Sequence, residues 1–167
     1  MSVPHLSKRF FTSLRPRPVD DADLAFVKLT LTPAEYGEWE QLSSADKAES
    51  LATARRAAHA LGPDADDTWL AVALLHDVGK TDAHLGTFGR VGATMIAAVV
   101  SHGRARHYGG AIGRYVGHDD LGAARLRKAG ARPEAVAWAE AHHRRELWAR
   151  TGISPDICKI LSAADGE

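Results

Sequence analysis

The stretch that most constrains the fold runs from Trp69 to Leu75 and is apolar at every position. A helix that is apolar on all sides has to be buried on all sides, so we expect this one at the centre of a helical bundle. It leads directly into the polar stretch His76-Asp77-Val78-Gly79-Lys80. An imidazole and a carboxylate therefore leave the middle of the fold side by side, which favours a role in holding a ligand.

The remainder of the chain also favours helices, because alanine is abundant and β-branched residues are sparse. No strand pattern longer than a few residues, no internal repeat and no linker is present. The predicted helices are Asp20–Leu31, one from Thr32, Ala45–Leu61, Thr68–His76, Thr87–Ser101, one from His118 to Lys128, one from Pro133, and Asp156–Ala164. We therefore predict an all-α, single-domain helical bundle over residues 19–167.

The first 18 residues differ in character from the rest. They are basic and contain prolines, with Phe10 and Phe11 in the middle. We interpret residues 1–18 as a peripheral N-terminal segment that docks its phenylalanines on the domain. A targeting or nucleic-acid-binding arm is the alternative.

The composition of the 167-residue chain bounds the kinds of partner. Its 21 Lys and Arg balance its 21 Asp and Glu, so net charge gives no argument for nucleic acid or a membrane as the main partner. Cys158 is the only cysteine, which excludes an internal disulfide and suits a reducing cytoplasm. The longest apolar run, Met95–Val100, is too short to span a bilayer, and no signal-peptide core follows the N-terminus. We expect a cytoplasmic protein that acts on a small molecule.

Polar residues at the ends of apolar helices form a candidate metal site. They come from four helices and are His76, Asp77, His118, His142, His143 and Asp165. Imidazole and carboxylate groups together suit divalent ions such as Mn, Fe, Co, Ni, Zn or Mg. Six candidates exceed the needs of one tetrahedral site, so we expect one or two ions, with Asp77 able to bridge a pair.

The adjacent His142 and His143 leave an alternative open. On a regular helix they point ~100° apart, so at least one of them is an expected ligand. Both can bind the same site only if the helix frays or kinks there.

The stretch Leu74–Lys80 resembles the signature of the HD-domain metal-dependent phosphohydrolase superfamily, in the two-metal branch with extra histidines. The resemblance covers about Asp46 to Asp165. The matching residues are the His76-Asp77 pair, Lys80 after it, His118 as the intermediate histidine, the His142-His143 pair and Asp165 as the closing aspartate. The resemblance implies a helical bundle in which these residues bind metal.

The chain departs from the family pattern at one position. The family's first histidine should lie on the helix before His76, but Glu49 stands in that place by local context. Counting back from Gly62 by helix length points to Asp46 instead, and His59 is too late and off the inner face. The first ligand is therefore a carboxylate, for which Glu49 is the prediction and Asp46 the alternative, or it is absent.

The resemblance implies hydrolysis of a phosphate ester or anhydride in a small substrate such as a nucleotide or dinucleotide, by a metal-activated water. We expect Asp77 and Lys80 to be catalytic. Lys80, with Arg144 or Arg145, is expected to bind the phosphate; the alternatives are a Lys80–Asp82 pair and a charged helix face. The loop residues Arg104, Arg106, His107 and Arg114 either line the entrance or form a charged surface. A di-iron oxygenase and a degenerate domain that binds a nucleotide without turnover are the alternative functions.

Overall fold

The structure is a computed structural model that describes residues 18–83 and 117–166. The α-helices in these ranges are α1 (Asp21–Thr30), α2 (Pro33–Glu40), α3 (Ser44–Leu61), α4 (Asp67–Leu75), α5 (His118–Ala129), α6 (Pro133–Ala141) and α7 (Pro155–Asp165). Short 3-10 helices cover Gly62–Asp64, Val78–Ala83 and Arg145–Arg150. The described ranges contain no strand, which confirms the predicted all-α fold.

Helix starts follow the local capping chemistry that the sequence predicts. At α2, the Glu35 backbone N–H donates to Thr32 Oγ1 at 3.3 Å, and the Thr32 N–H donates to the Glu35 carboxylate at 2.9 Å. At α3 and α7, the hydroxyls of Ser43 and Ser154 accept the backbone N–H of Asp46 and of Ile157, without the reciprocal bond. The start of each of these helices is therefore determined by a few neighbouring residues in the sequence.

Helix α4 lies at the centre of the bundle, as its all-apolar sequence predicts. Its last five residues, Ala71–Leu75, are all buried. It packs against α3 and α6, with further contacts to α1 and α2. Its C-terminus therefore opens into the interior, where His76 and Asp77 follow.

Two short segments differ from the sequence-based expectation. We predicted a loop over residues 81–86, but a 3-10 helix, Val78–Ala83, begins directly after Asp77. A second 3-10 helix, Arg145–Arg150, follows the double histidine and had no counterpart in the prediction. Both are only six residues long, too short for hydrophobic periodicity to give a signal.

A buried ion pair fixes α2 to the start of α6. Glu35 is fully buried, and its Oε1 accepts from the Arg132 backbone N–H at 3.0 Å and from Arg132 Nε at 2.8 Å. Burial would raise the pKa of Glu35, but the hydrogen bonds and charge of Arg132 outweigh burial, so its pKa is lowered. The pair thereby sets the position of α6, the helix that leads to the double histidine.

Several predictions concern residues outside the described ranges. These are the peripheral placement of the N-terminal segment, the helix Thr87–Ser101, and the entrance residues Arg104, Arg106, His107 and Arg114. They stay predictions, as does the domain boundary at residue 19. No helix in the two described ranges has the length and apolar character that crossing a bilayer requires.

Candidate metal centre

His76 is held with one ring nitrogen facing the candidate site. Its Nδ1–H donates to the Ala73 carbonyl at 2.8 Å, which leaves Nε2 to face the interior. Nε2 lies 3.3 Å from Asp77 Oδ2 and 3.3 Å from Asp165 Oδ1. Burial would lower the pKa of His76, but the charges of Asp77 and Asp165 outweigh it and raise the pKa well above its usual value. The two carboxylates therefore create a strong preference for a positive charge at this nitrogen.

His142 is oriented by the same device. Its Nδ1–H donates to the Ala139 carbonyl at 2.9 Å, and its Nε2 lies 3.8 Å from Asp77 Oδ1. Burial, followed by the nearby charge of His143, lowers the pKa of His142 to about 4. His142 is therefore neutral at pH 7, which is the form in which an imidazole binds a metal ion.

Both members of the double histidine reach the site because the helix ends before them. Helix α6 stops at Ala141, and His142 and His143 lie in the turn that follows. Their ring centroids are 4.0 Å apart, and that of His143 lies 5.2 Å from that of His118. The geometry is thus the irregular helix end that two converging adjacent histidines require.

Four residues bring their ligand atoms together at one point. Ligand atoms of Asp77, His118, His142 and His143 all lie within 4.8 Å of one another. Within this group, His118 Nε2 lies 3.1 Å from Asp77 Oδ1. Ligand atoms around a tetrahedral ion with bonds of about 2.1 Å lie about 3.4 Å apart. The group therefore needs only a small contraction to surround an ion.

The polar atoms of the site also fit a bound cation. The buried Nε2 atom of His142 and the buried Oδ1 of Asp77 have no partner in hydrogen-bond geometry within the part of the chain that is described. An uncompensated buried polar atom is costly, so such atoms generally mark a missing partner. Three imidazoles and a carboxylate are a donor set that divalent ions favour. These residues could hold a divalent metal.

A contact between two glycines places His118 opposite Asp77. A Cβ on Gly79 would lie 1.8 Å from the His118 carbonyl oxygen and 2.6 Å from the Gly122 nitrogen. Only a residue without a side chain permits the segment after Asp77 to approach α5 this closely. The glycine after the His-Asp pair is therefore required by backbone packing.

The aspartate at the end of α7 completes the neighbourhood of His76. Asp165 is buried. Burial would raise its pKa, but the charge and hydrogen bond of His76 lower it further than burial raises it. The preceding residue, Ala164, accepts a hydrogen bond from Arg56 Nε, which ties α7 to α3.

The structure does not bring Glu49 into the group of four ligands. Its side chain is 43% exposed and forms an ion pair with Arg56 at 3.0 Å. The alternative, Asp46, is engaged at the start of α3, where its Oδ2 accepts from Ser43 Oγ at 2.6 Å. Metal binding by either carboxylate stays a prediction.

The three residues predicted to bind substrate lie in different environments. Lys80 Nζ forms an ion pair with Asp77 Oδ2, while the side chain of Asp82 lies outside the described part of the structure. Arg145 is exposed, with its guanidinium 5.4 Å from the ring centroid of Trp148. Arg144 is engaged elsewhere. Its role, and that of Arg145, in substrate binding stays a prediction.

Arg144 joins the two helix ends that present the histidines. Its Nε lies 3.3 Å from Asp119 Oδ2, its terminal nitrogen 2.6 Å from Asp120 Oδ1, and its Nε donates to the Glu140 carbonyl at 3.0 Å. Asp119 is almost fully buried. This contact was not predicted from the sequence, although an aspartate pair beside one histidine and an arginine beside another are a signal for it.

The comparisons agree with the site. The family model described as HD domain matches residues 48–166, so the chain belongs to the HD domain family. The search of curated proteins and the search of solved structures each returned no match. Together, the family and the His/Asp group fit a metal-dependent hydrolase.

Proposed function

We propose that the chain hydrolyses a phosphate ester or anhydride in a small soluble substrate, such as a nucleotide or dinucleotide. The observation that carries the proposal is the convergence of Asp77, His118, His142 and His143 beside the ammonium group of Lys80. An electrophilic centre and a fixed cation next to each other suit a substrate with several negatively charged oxygens.

We assign each residue of the site a role that follows from its position. Asp77, His118, His142 and His143 would hold the ion, which when bound lowers the pKa of a coordinated water and polarises a phosphoryl oxygen. His76 is fixed by Ala73 and lies between two carboxylates, so it can hold a proton at Nε2 close to the reacting groups.

Lys80 supplies the fixed positive charge. Its side chain is only about one-fifth exposed, and its backbone N–H donates to the Asp77 carbonyl at 3.0 Å. The ammonium is therefore placed at the edge of the site with little freedom. We propose that it binds a phosphoryl oxygen of the substrate, with exposed Arg145 as the candidate for a more distant phosphate.

The proposal is tested by phosphate release. The purified chain is supplied with Mn, Fe, Co, Ni, Zn or Mg and assayed on nucleotides, dinucleotides and phosphomonoesters. We expect metal-dependent phosphate release, lost in Asp77→Asn and retained in Asp156→Asn, because Asp156 lies on the surface with its side chain 87% exposed.

Two other outcomes would replace the proposal. Oxygen consumption by the iron-loaded protein, without phosphate release, would identify an oxygenase. A nucleotide that raises the unfolding temperature across the panel without turnover would identify a binding module.

A further inference from the structure

The two oxygens of Asp77 face chemically different surroundings. Oδ1 faces His118 Nε2 at 3.1 Å and His142 Nε2 at 3.8 Å. Oδ2 faces His76 Nε2 at 3.3 Å and forms the ion pair with Lys80. We call these the histidine side and the lysine side of Asp77. For Asp77 to bridge two ions, one ion would have to bind on each of these sides.

The histidine side has a complete set of ligands. Three imidazoles and Asp77 Oδ1 meet there without the help of any other residue. The tautomer of His142 is set by the Ala139 carbonyl, and the neutral ring presents Nε2 to the site. One ion therefore finds four protein ligands on this side.

The lysine side has fewer donors and already contains a cation. Its donors among the residues of 18–83 and 117–166 are His76 Nε2, Asp77 Oδ2 and Asp165 Oδ1. Lys80 Nζ is bonded to Oδ2, the oxygen that a second ion would need. An ammonium and a divalent ion at contact distance repel each other strongly in a buried site, where the effective dielectric constant is low.

The backbone holds Lys80 in this position. Lys80 follows Gly79, and the contact of Gly79 with His118 and Gly122 leaves no space for that turn to move towards α5. The Lys80 N–H is itself bonded to the Asp77 carbonyl. The Lys80 side chain therefore starts from a fixed point beside Asp77, and its ammonium pairs with Oδ2 on the lysine side.

The two carboxylates of α3 that are predicted as ligands, Glu49 and Asp46, are engaged with residues in or next to that helix. Glu49 is paired with Arg56, which is fixed in turn by Thr53 Oγ1 at 2.9 Å and by the Ala164 carbonyl. Asp46 is bonded to the hydroxyl of Ser43. Releasing either carboxylate would break the Glu49–Arg56 pair within α3 or the Ser43–Asp46 hydrogen bond at its start.

We infer that the chain holds one divalent ion, on the histidine side of Asp77, and that the Lys80 ammonium occupies the place of a second. The inference refines the proposed function, on which it rests for the use of the site. The fixed single charge of Lys80 takes over the neutralising role that a second ion would have at the substrate phosphoryl group. The site is therefore mononuclear with an internal cation.

The test counts ions and needs no turnover. The chain is equilibrated with Co²⁺ by dialysis, the bound metal is counted by mass spectrometry, and visible absorption reports the ligand geometry. We expect one ion per chain in the wild type and in His76→Ala, with loss of at least tenfold in affinity in His118→Ala and His142→Ala. Asp165→Asn serves in place of His76→Ala if the latter does not fold, as judged by circular dichroism.

A second pair of variants tests the role of Lys80. Lys80→Met removes the charge and keeps the length of the side chain, so we expect a second, weaker Co²⁺ to bind. Lys159→Met is the matched control, because Lys159 pairs with Asp156 at the same i,i+3 spacing on the surface and should leave one ion. A single ion in Lys80→Met at saturating Co²⁺ would overturn the assigned role.

The inference and the proposed function can fail separately. Two ions in the wild type, or a loss in His76→Ala as large as that in His118→Ala, overturns the single-ion inference even if phosphate is released. One ion on the histidine side without any hydrolysis supports the inference and refutes the function.

Discussion

Two buried carboxylates in this molecule, Glu35 and Asp77, differ in how they are satisfied. Glu35 accepts hydrogen bonds on both oxygens, from Arg132 and from the Thr32 backbone, at 2.8 to 3.0 Å. Asp77 has one oxygen paired with Lys80, while the other faces imidazole nitrogens and has no partner in hydrogen-bond geometry among the described residues. The first carboxylate is complete within the protein, whereas the second needs a cation from outside.

The difference distinguishes a structural charge from a functional one. Burying a charge is costly unless it is paired and hydrogen-bonded. Glu35 meets that condition and ties α2 to α6, so removing its partner should damage the fold. Asp77 meets it in part, so adding a metal ion should stabilise the fold. The predictions that follow test each half of this contrast.

The largest effect is expected from Arg132→Met. It leaves the buried Glu35 carboxylate without its main partner, which costs about 3–5 kcal/mol for a buried pair. Arg150→Met is the control, because Arg150 is exposed. The two variants are compared by their free energies of unfolding in urea at pH 7. A loss below about 1 kcal/mol, the level of a surface pair, would contradict the structural role.

The pH dependence of stability tests the same pair from the other side. The folded-state pKa of Glu35 is lowered, so its contribution is fully present above the unfolded pKa of about 4.3 and disappears as the pH falls through the folded value. In Glu35→Gln, this part of the decline in stability below about pH 4.3 should be missing. Unfolding free energies of both proteins between pH 7 and pH 3 give the comparison. Parallel curves would show that Glu35 has the same pKa in both states.

The surroundings of these two carboxylates also show which features can be predicted from the sequence and which cannot. The caps, the central helix and the six polar residues at helix ends follow from local patterns, and the family resemblance assigns the His76-Asp77 pair. The Glu35–Arg132 pair does not, because the partners are 97 residues apart and Glu35 is already explained as half of a capping box. Long-range pairing depends on the packing of whole helices, which local periodicity does not contain.

The dependence on long-range packing also explains why the surroundings of Glu49 and the convergence of the double histidine could not be predicted in full. Local context selected Glu49 as a candidate ligand. Its partner Arg56 lies on the same helix, but Arg56 is itself held by the Ala164 carbonyl of α7, which is a long-range contact. The convergence of His142 and His143 depends on α6 ending at Ala141, where no glycine or proline in the sequence marks the end. The four residues that converge could therefore be named from the sequence, but the partners of each side chain could not.

Metal addition tests the incomplete carboxylate. At a Zn²⁺ concentration of 100 times its dissociation constant, binding to the folded chain alone adds about 2.7 kcal/mol to the free energy of unfolding. Asp77→Asn should lose this gain, and Asp156→Asn should keep it. Thermal unfolding of chelator-treated protein with and without Zn²⁺ measures it. An equal gain in both variants would place the stabilising ion elsewhere.

A smaller effect is expected from Gly79→Ala, which disturbs the approach of Asp77 to His118. The added Cβ would overlap backbone atoms, and overpacking of this kind costs about 1–3 kcal/mol. Because α5 must shift, metal affinity should fall along with stability. Metal titration and urea unfolding of the same sample check the two together. Loss of stability with unchanged affinity would mean that α5 carries His118 along as it moves.

The smallest effect has the opposite sign and comes from Gly37→Ala, the matched glycine variant in α2. A Cβ on Gly37 meets nothing within 4 Å, and its position inside a helix favours alanine over glycine by about 0.5–1 kcal/mol. The free energy of unfolding should rise slightly. Metal affinity should not change, because Gly37 lies on α2, the helix that Glu35 anchors, and none of the four candidate ligands lies on α2. Urea unfolding resolves the gain when both variants are measured side by side. A loss in Gly37→Ala similar to that in Gly79→Ala would show that the cost at Gly79 comes from alanine in general and not from the backbone contact that positions His118.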